Sequence, residues 1–196
     1  MPERPERIGV FGGTFDPIHN AHLAVAVNVR HAVALDRILV VVANRPWQKA
    51  GRTLTDPHDR LAMVEAAVEG VEGVEASSLE IDRGGETYTA DTVAELARVE
   101  ARELFLIVGA DVASELDTWV RVGAIRDAAT LVIVDRPGAP SPTLEGWRVE
   151  HVEVPQLALS SSELRARAAA GLPLEGLVPT PAVHLIQKRG LYAETG

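Results

Sequence analysis

The sequence contains no cysteine, few aromatic residues and no long apolar run. The absence of cysteine excludes disulfides and a thiolate metal site. No apolar stretch approaches the roughly 20 residues that a membrane-spanning helix needs. The first seven residues, Met-Pro-Glu-Arg-Pro-Glu-Arg, lack the apolar core of a signal peptide. We therefore expect a cytoplasmic protein that does not associate with membranes.

Positive charge is also scarce. The chain has 19 Lys and Arg residues against 28 Asp and Glu residues, which gives a formal net charge of -9. Such a balance argues against general nucleic-acid binding, so a nucleotide ligand must be held by a local cluster of positive groups. The chain has 196 residues, of which 46% are hydrophobic. This length and composition predict a single domain over residues 1–196 with a sizeable core.

The apolar pattern predicts the fold class. Residues 38–42 read Ile-Leu-Val-Val-Val, which is typical of a parallel strand buried on both faces. With a strand at 8–11 and a helix at 23–33, this run completes a βαβ unit. Further strands are predicted at 74–81, 104–108, 130–134 and, as an edge strand, 147–154, with helices beginning at Asp56 and Thr87. We expect a single Rossmann-like, doubly wound α/β fold, with about five or six mostly parallel strands and helices on both faces.

The stretch from Ile8 to His22 joins the first strand to the first helix. Gly12 and Gly13 predict a tight turn with unusual backbone angles, and the helix start beyond it suits a phosphate. His19 and His22 are three residues apart, so they share one face of a first helical turn. Their rings can donate hydrogen bonds to charge that develops on phosphate oxygens. The alternative interpretation is an ordinary strand–helix turn with two surface histidines.

Polar residues after other predicted strands extend this candidate site. Asp111 follows strand 104–108 and Gly109, where an acid can bind ribose hydroxyls or cap a helix. Arg165 lies one turn inside a helix that begins with serines, where it can reach a phosphate, although a capped surface helix has the same pattern. Lys49 lies in a basic loop after a strand and is either a phosphate ligand or a solvated lysine.

Two further positions are ambiguous from the residues alone. Tyr88 and Thr89 begin a predicted helix, whose unpaired N–H groups can receive an anion, but an ordinary capped helix looks the same. Trp119 lies in a short helical segment, and core packing is the simplest explanation for a lone tryptophan.

Residues 12–19, Gly-Gly-Thr-Phe-Asp-Pro-Ile-His, resemble the signature of the bacterial nicotinate-nucleotide adenylyltransferases. This family belongs to the nucleotidylyltransferase superfamily, whose hallmark is His-x-Gly-His. Ala21 stands where the hallmark has glycine, and it adds a methyl group where a nucleotide should lie close. The resemblance spans Gly9 to Tyr192 and is also carried by Pro46 to Lys49, Tyr88-Thr89, Gly109-Ala110-Asp111, Trp119 and Ser160 to Arg165.

The resemblance implies an enzyme that transfers the adenylyl group of ATP to nicotinate mononucleotide, giving deamido-NAD and pyrophosphate in NAD biosynthesis. It implies no covalent intermediate, and Mg²⁺ that is carried by the ATP phosphates and not by a protein metal site. The catalytic residues would be His19, His22 and Arg165. The remaining ATP-binding residues would be Gly12, Gly13, Thr14, Phe15, Gly109, Asp111, Ser161 and Ser162. Nicotinate mononucleotide would meet Lys49, Tyr88, Thr89 and Trp119, the last by stacking on the pyridine ring.

Other functions are kept as alternatives. A sibling enzyme would act on nicotinamide mononucleotide or a pantetheine phosphate, although Tyr88-Thr89 and Trp119 favour nicotinate. A non-catalytic nucleotide sensor could share the fold, but it need not keep His19, His22 and Arg165. A nicotinamide-dependent oxidoreductase is disfavoured, because Gly-x-Gly-x-x-Gly is absent after the first strand. The sequence leaves open whether the chain forms a homo-oligomer.

Overall fold

The computed structural model describes residues 4–46, 53–135, 142 and 144–193. Its strands are β1 (Glu6–Gly13), β2 (Arg37–Val42), β3 (Arg45–Pro46), β4 (Val74–Ser77), β5 (Glu86–Thr87), β6 (Arg102–Gly109), β7 (Ala129–Asp135) and β8 (Val149–Glu153). Its helices are α1 (Asn20–Ala32), α2 (Pro57–Val68), α3 (Leu79–Arg83), α4 (Thr89–Leu96), α5 (Ala110–Ala113), α6 (Val122–Ala128), α7 (Ser161–Ala169) and α8 (Thr180–Arg189), with a 3₁₀ turn at Leu116–Thr118.

The main sheet has six strands in the order β4-β2-β1-β6-β7-β8, and each neighbouring pair is parallel. The chain moves outward from β1 through β2 and β4, then crosses to the other side of β1 with β6. This reversal places a topological switch point between β1 and β6, where open α/β sheets form a crevice at the carboxyl ends of their strands. The predicted doubly wound parallel sheet is confirmed.

Helices cover both faces of the sheet because each face buries its own apolar cluster. On one face the cluster contains Val29 of α1, Met63 of α2 and Ile186 of α8. On the other it contains Val93 of α4 and Ile125 of α6. Each fully buried aliphatic side chain stabilises the fold by about 1.5–3 kcal/mol, so the two clusters hold the strand ends in place.

The strand predicted at 74–81 is wrong in its second half. β4 ends at Ser77, and α3 follows at once. The Ser78 carbonyl accepts the N–H of Asp82 at 2.8 Å, and the Ser78 hydroxyl donates to the Asp82 carboxylate at 2.6 Å. These local bonds close a helical turn, which competes with extended structure. Ile81, predicted as a strand residue, is a buried residue of this helix.

The helix predicted to begin at Thr87 begins at Thr89. Thr87 belongs to β5, which pairs in parallel with β3 in a second, two-stranded sheet. The Thr87 hydroxyl accepts the N–H groups of Asn44 and Arg45 at 3.1 and 3.3 Å. This pairing ties the loop after β2 to the start of α4. Periodicity could not reveal it because each strand has only two residues.

The predicted edge strand is confirmed as β8, which lies at one edge of the main sheet. The loop predicted between residues 135 and 143 lies largely outside the described residues. Within the described ranges, no helix is long and apolar enough to cross a membrane.

Candidate active site

The glycine pair ends β1 and does not form the predicted turn. Gly12 and Gly13 are strand residues paired with β2, and the left-handed residue of the following turn is Phe15, with a φ of 49°. The prediction of unusual glycine angles is therefore wrong. A Cβ on Gly13 would lie 2.7 Å from the Phe15 ring, whereas a Cβ on Gly12 would project into open space. Gly13 thus permits a close ring contact, and Gly12 leaves the strand end open.

Residues 14–19, here called the β1–α1 turn, lead into α1 and bring the two histidines together. His19 is the N-cap of α1, and His22 lies in its first turn. Their rings stack with centroids 3.7 Å apart and planes inclined by 20°, so the predicted shared face is confirmed. The His19 backbone N–H donates to Nδ1 of His22 at 3.2 Å. A neutral His22 therefore carries its proton on Nε2 and can donate it from there.

His19 is almost completely buried, with 4% of its surface exposed. Burial lowers the pKa of its ring to about 4, so the ring is neutral near pH 7. Its side chain faces the backbone N–H of His22 in a capping-box arrangement, but its buried Nδ1 completes no hydrogen bond among the described residues. Unpaired buried polar atoms are rare and costly. His19 is therefore a neutral hydrogen-bonding group in this site and not a fixed positive charge.

The N-terminus of α7 contacts the β1–α1 turn. The Ser161 hydroxyl donates to the Pro17 carbonyl at 2.9 Å. The Arg165 guanidinium donates to the Asp16 carbonyl at 2.7 Å and to the Ser162 hydroxyl at 3.2 Å. The fold thus brings the serine–arginine motif against the histidine motif, although more than a hundred residues separate them in sequence.

A cleft of about 340 Å³ lies at the switch point. The predicted site residues that line it are Gly12, Gly13, Thr14, Tyr88, Thr89, Gly109 and Trp119. The histidine pair and the α7 residues do not line this cleft but stand around the β1–α1 turn, which Thr14 shares with it. The predicted residues therefore form two adjacent groups, one around the turn and one around the cleft.

The second group is built on α4 and on the segment after the 3₁₀ turn. Tyr88 is the N-cap of α4, with an extended backbone, and the first turn of a helix leaves N–H groups without intrahelical partners. Trp119 packs partly against an apolar cluster while lining the cleft, so both interpretations of this residue hold at once. Among the described residues its buried indole N–H has no partner.

Gly109 and Asp111 stand at the end of β6. A Cβ on Gly109 would lie 2.6 Å from Oδ1 of Asp111, so the glycine makes room for a carboxylate that folds back over the strand end. Gly109 itself is the N-cap of α5. Asp111 is therefore not the capping residue, and its exposed carboxylate lies at the edge of the site.

Lys49, predicted to neutralise a phosphate, lies outside the described residues. Lys49 belongs to the loop after β2. The described start of that loop forms β3, which pairs with β5 just before α4 and therefore lies next to the site.

Sequence reasoning missed a buried acid at the cleft. Glu80 lines the cleft with 5% of its surface exposed, and the Thr92 hydroxyl donates to its Oε1 at 2.5 Å. Burial raises the pKa of this carboxyl, against the opposing effects of Thr92 and Arg83. The contact ties α3 to α4. No signal in the sequence pointed to it, because α3 itself was predicted as strand.

It also missed a group on the far side of the β1–α1 turn. Arg60 of α2 is fully buried, as is almost all of Asp16, and the Tyr192 hydroxyl donates to Oδ1 of Asp16 at 2.7 Å. An available signal was the position of Arg60, which shares a helix face with Met63 and Val64 in the core.

Comparisons with known proteins agree with this geometry. Residues 10–167 match the cytidylyltransferase-like family. A Corynebacterium kroppenstedtii protein named "probable nicotinate-nucleotide adenylyltransferase" is 43% identical over 195 residues, which cover 97% of this chain and 92% of the relative. An Acidothermus cellulolyticus protein of the same name is 41% identical over 204 residues, which cover 100% and 98%.

Solved structures share the fold. Plasmodium falciparum nicotinic acid mononucleotide adenylyltransferase, complexed with NaAD, matches with a TM-score of 0.79 over 95% of this chain and 97% of that chain. The sequence identity is 20%, so this likeness concerns the fold alone.

Proposed function

We propose that this chain, which belongs to the cytidylyltransferase-like family and, within it, to the nicotinate-nucleotide adenylyltransferases, transfers the adenylyl group of ATP to nicotinate mononucleotide. The products would be deamido-NAD and pyrophosphate. The observation that carries the proposal is that His19, His22 and Arg165 lie around one turn. This turn adjoins a cleft that is lined by the first residues of α4. The turn offers donors to a triphosphate, and the helix start offers N–H groups to a ring carboxylate.

In the proposed reaction, an oxygen of the mononucleotide phosphate attacks the α-phosphorus of ATP in line. A new P–O bond forms as the bond from the α-phosphorus to the α,β-bridging oxygen breaks, and pyrophosphate leaves with that electron pair. No group on the protein needs to be modified. The protein contributes positioning and charge stabilisation, as in phosphoryl transfer generally.

Three side chains would supply the stabilisation. His22 donates from Nε2, the nitrogen left protonated by its bond with the His19 backbone, and His19 bonds as a neutral ring. Arg165 supplies a permanent charge. A guanidinium has five N–H donors, so its bonds to Asp16 and Ser162 leave capacity for phosphate oxygens. The other predicted ATP contacts, from Gly12 to Phe15 and at Gly109, Asp111, Ser161 and Ser162, remain part of the proposal.

Mg²⁺ would enter with ATP and neutralise charge on its phosphates. This ion keeps several waters and takes few protein ligands when it is bound to a nucleotide. Among the described residues no group of three or more His, Cys, Asp or Glu side chains is placed to hold a metal. We propose that the ligands of the ion come from phosphate and water.

Nicotinate mononucleotide would occupy the part of the cleft that Tyr88, Thr89 and Trp119 line, next to the part that the ATP residues Gly12, Gly13, Thr14 and Gly109 line. Its ring carboxylate would accept from the N–H groups at Tyr88 and Thr89, its pyridine ring would stack on Trp119, and Lys49 would assist at its phosphate. Because both substrates are charged nucleotides, we place this activity in the cytoplasm.

A pyrophosphate-release assay tests the proposal. The purified protein is given ATP and Mg²⁺ with nicotinate mononucleotide, nicotinamide mononucleotide or a pantetheine phosphate, and the product is identified by mass. We expect release with nicotinate mononucleotide and formation of deamido-NAD. Release only with another acceptor would identify a sibling enzyme, and ATP binding without release would identify a sensor.

A further inference from the structure

Among the described residues, Arg60 has the largest fully buried side chain, with 0% of its surface exposed. Its guanidinium makes four hydrogen bonds, and every acceptor is a backbone carbonyl. Nη1 donates to Thr14 at 2.8 Å and to Ala43 at 2.7 Å. Nε donates to Thr55 at 2.9 Å, and Nη2 donates to Asn44 at 3.0 Å.

These carbonyls belong to three segments that surround the candidate site. Thr14 begins the β1–α1 turn, Ala43 and Asn44 follow β2, and Thr55 precedes α2. A planar fork with five donors can bond several carbonyls at once, whereas an ammonium group is a compact point charge with three donors. The arrangement therefore requires arginine and not merely a positive residue.

A buried carboxylate accompanies the guanidinium. Asp16 is 2% exposed and accepts the Tyr192 hydroxyl at 2.7 Å and the Thr55 N–H at 3.3 Å. Burial lowers the pKa of Arg60, and the charge of Asp16 opposes that effect. Asp16 belongs to the β1–α1 turn, so its carboxylate ties the turn to Thr55 and to Tyr192, while Arg60 ties the turn to Thr55 and to the end of β2.

We propose that Arg60 is a positioning residue for adenylyl transfer, which fixes the β1–α1 turn relative to the end of β2 through its bonds to Thr14, Ala43 and Asn44. The inference rests on the proposed function. Arg60 does not line the cleft and would not touch a substrate. It would instead set the distance between the histidine pair and the cleft, and a misplacement of about 1 Å at a reacting centre can cost about 10²-fold in rate.

The competing explanation is that Arg60 only stabilises the fold. A purely structural residue changes the unfolding midpoint but leaves the turnover of the folded fraction unchanged. The two roles therefore separate if kcat and KM are measured well below the midpoint of each variant, on protein whose folded fraction is known from circular dichroism.

Arg60→Lys is the decisive variant, because it keeps the charge beside Asp16 and removes the fork. Arg60→Met removes both and is the variant that could fail to fold. Arg167→Lys is the matched control, since Arg167 also donates from two nitrogens to a backbone carbonyl, that of Pro173 at 3.3 and 3.1 Å. Among the described residues, the Arg167 side chain makes no hydrogen bond to the β1–α1 turn.

We measure kcat and KM for ATP and nicotinate mononucleotide, together with amide hydrogen exchange at residues 14–19 and 43–44. Folded Arg60→Lys should lose about 10- to 100-fold in kcat, with faster exchange in both segments, while Arg167→Lys should match the parent in both. Parental kcat in folded Arg60→Lys, or unchanged exchange at residues 14–19, would overturn the proposal. If the parent itself releases no pyrophosphate, the proposed function fails, and the exchange measurement alone then decides whether Arg60 positions the turn.

Discussion

At the scale of single residues, His19 couples the candidate site to the stability of the protein. Burial lowers the pKa of its ring from 6.5 to about 4. Between these two values the unfolded chain binds a proton at His19 that the folded chain does not bind. The contribution of His19 to stability is therefore fully present above pH 6.5 and is lost as the pH falls toward 4, by up to about 3 kcal/mol.

His19→Asn tests this coupling, because asparagine keeps a favourable N-cap and does not titrate. The free energy of unfolding in urea is measured at pH 7 and pH 4.5 for parent and variant. Since the carboxylates titrate in both proteins, their effects largely cancel, and the parent should lose more stability than the variant. His31→Asn, at an exposed position of the same helix, controls for replacing a histidine. Equal pH dependence in parent and His19→Asn would contradict the burial effect.

His22 is the residue expected to act most directly on transition-state charge. Its Nδ1 accepts the His19 N–H, so Nε2 carries the donated proton. His22→Ala should lower kcat by about 10²–10³-fold, the range for removal of one such donor, while circular dichroism remains that of the folded parent. His31→Ala serves as the comparison on α1. A His22→Ala protein with parental turnover would remove His22 from the mechanism.

At the scale of elements, the site depends on helix termini that meet strand ends. The starts of α1 and α7 contact one turn, and the start of α4 reaches the cleft because Thr87 is tied to the loop after β2. The motifs at the starts of these helices could be predicted from the sequence, since each motif is local. The β3–β5 pairing and α3 could not be, because they depend on hydrogen bonds between distant segments or on a local turn that competed with a strand pattern.

Replacing Trp119 tests whether ring stacking sets only the affinity for the mononucleotide while the start of α4 sets the choice between nicotinate and nicotinamide. Stacking contributes about 0.5–1.5 kcal/mol beyond area burial and should serve a nicotinate or nicotinamide ring almost equally. Trp119→Ala should therefore raise KM for both mononucleotides and roughly keep the ratio of their kcat/KM values. Trp147→Ala controls for lost packing. Trp147 packs against the same apolar cluster as Trp119 but does not line the cleft. A ratio that collapses in Trp119→Ala would assign selectivity to the stack.

At the scale of the whole molecule, the doubly wound parallel sheet followed from the sequence because apolar runs and a βαβ unit leave few topologies, whereas the switch point between β1 and β6 was first seen in the structure. The sequence also allowed His19, His22, Arg165 and the helix starts to be proposed as site elements, because each belongs to a local motif. The contacts of Arg60, Asp16 and Glu80 could not be predicted, since they are made by residues far apart in the chain; only the burial of Arg60 had a signal, its helical spacing with Met63 and Val64. The glycine pair was assigned the wrong conformation, because a glycine can serve close packing, as Gly13 does against Phe15, as well as a left-handed turn.

The most direct test of the account is the ratio of kcat/KM for nicotinate mononucleotide to that for nicotinamide mononucleotide, with ATP saturating. A helix start offers donors and a positive partial charge, so a carboxylate can pair with it fully, whereas a carboxamide leaves its NH₂ facing donors. Unpaired buried groups of this kind are costly. We predict a ratio of at least about 10². A ratio near one, a preference for the amide, or no pyrophosphate release with nicotinate mononucleotide would contradict the account.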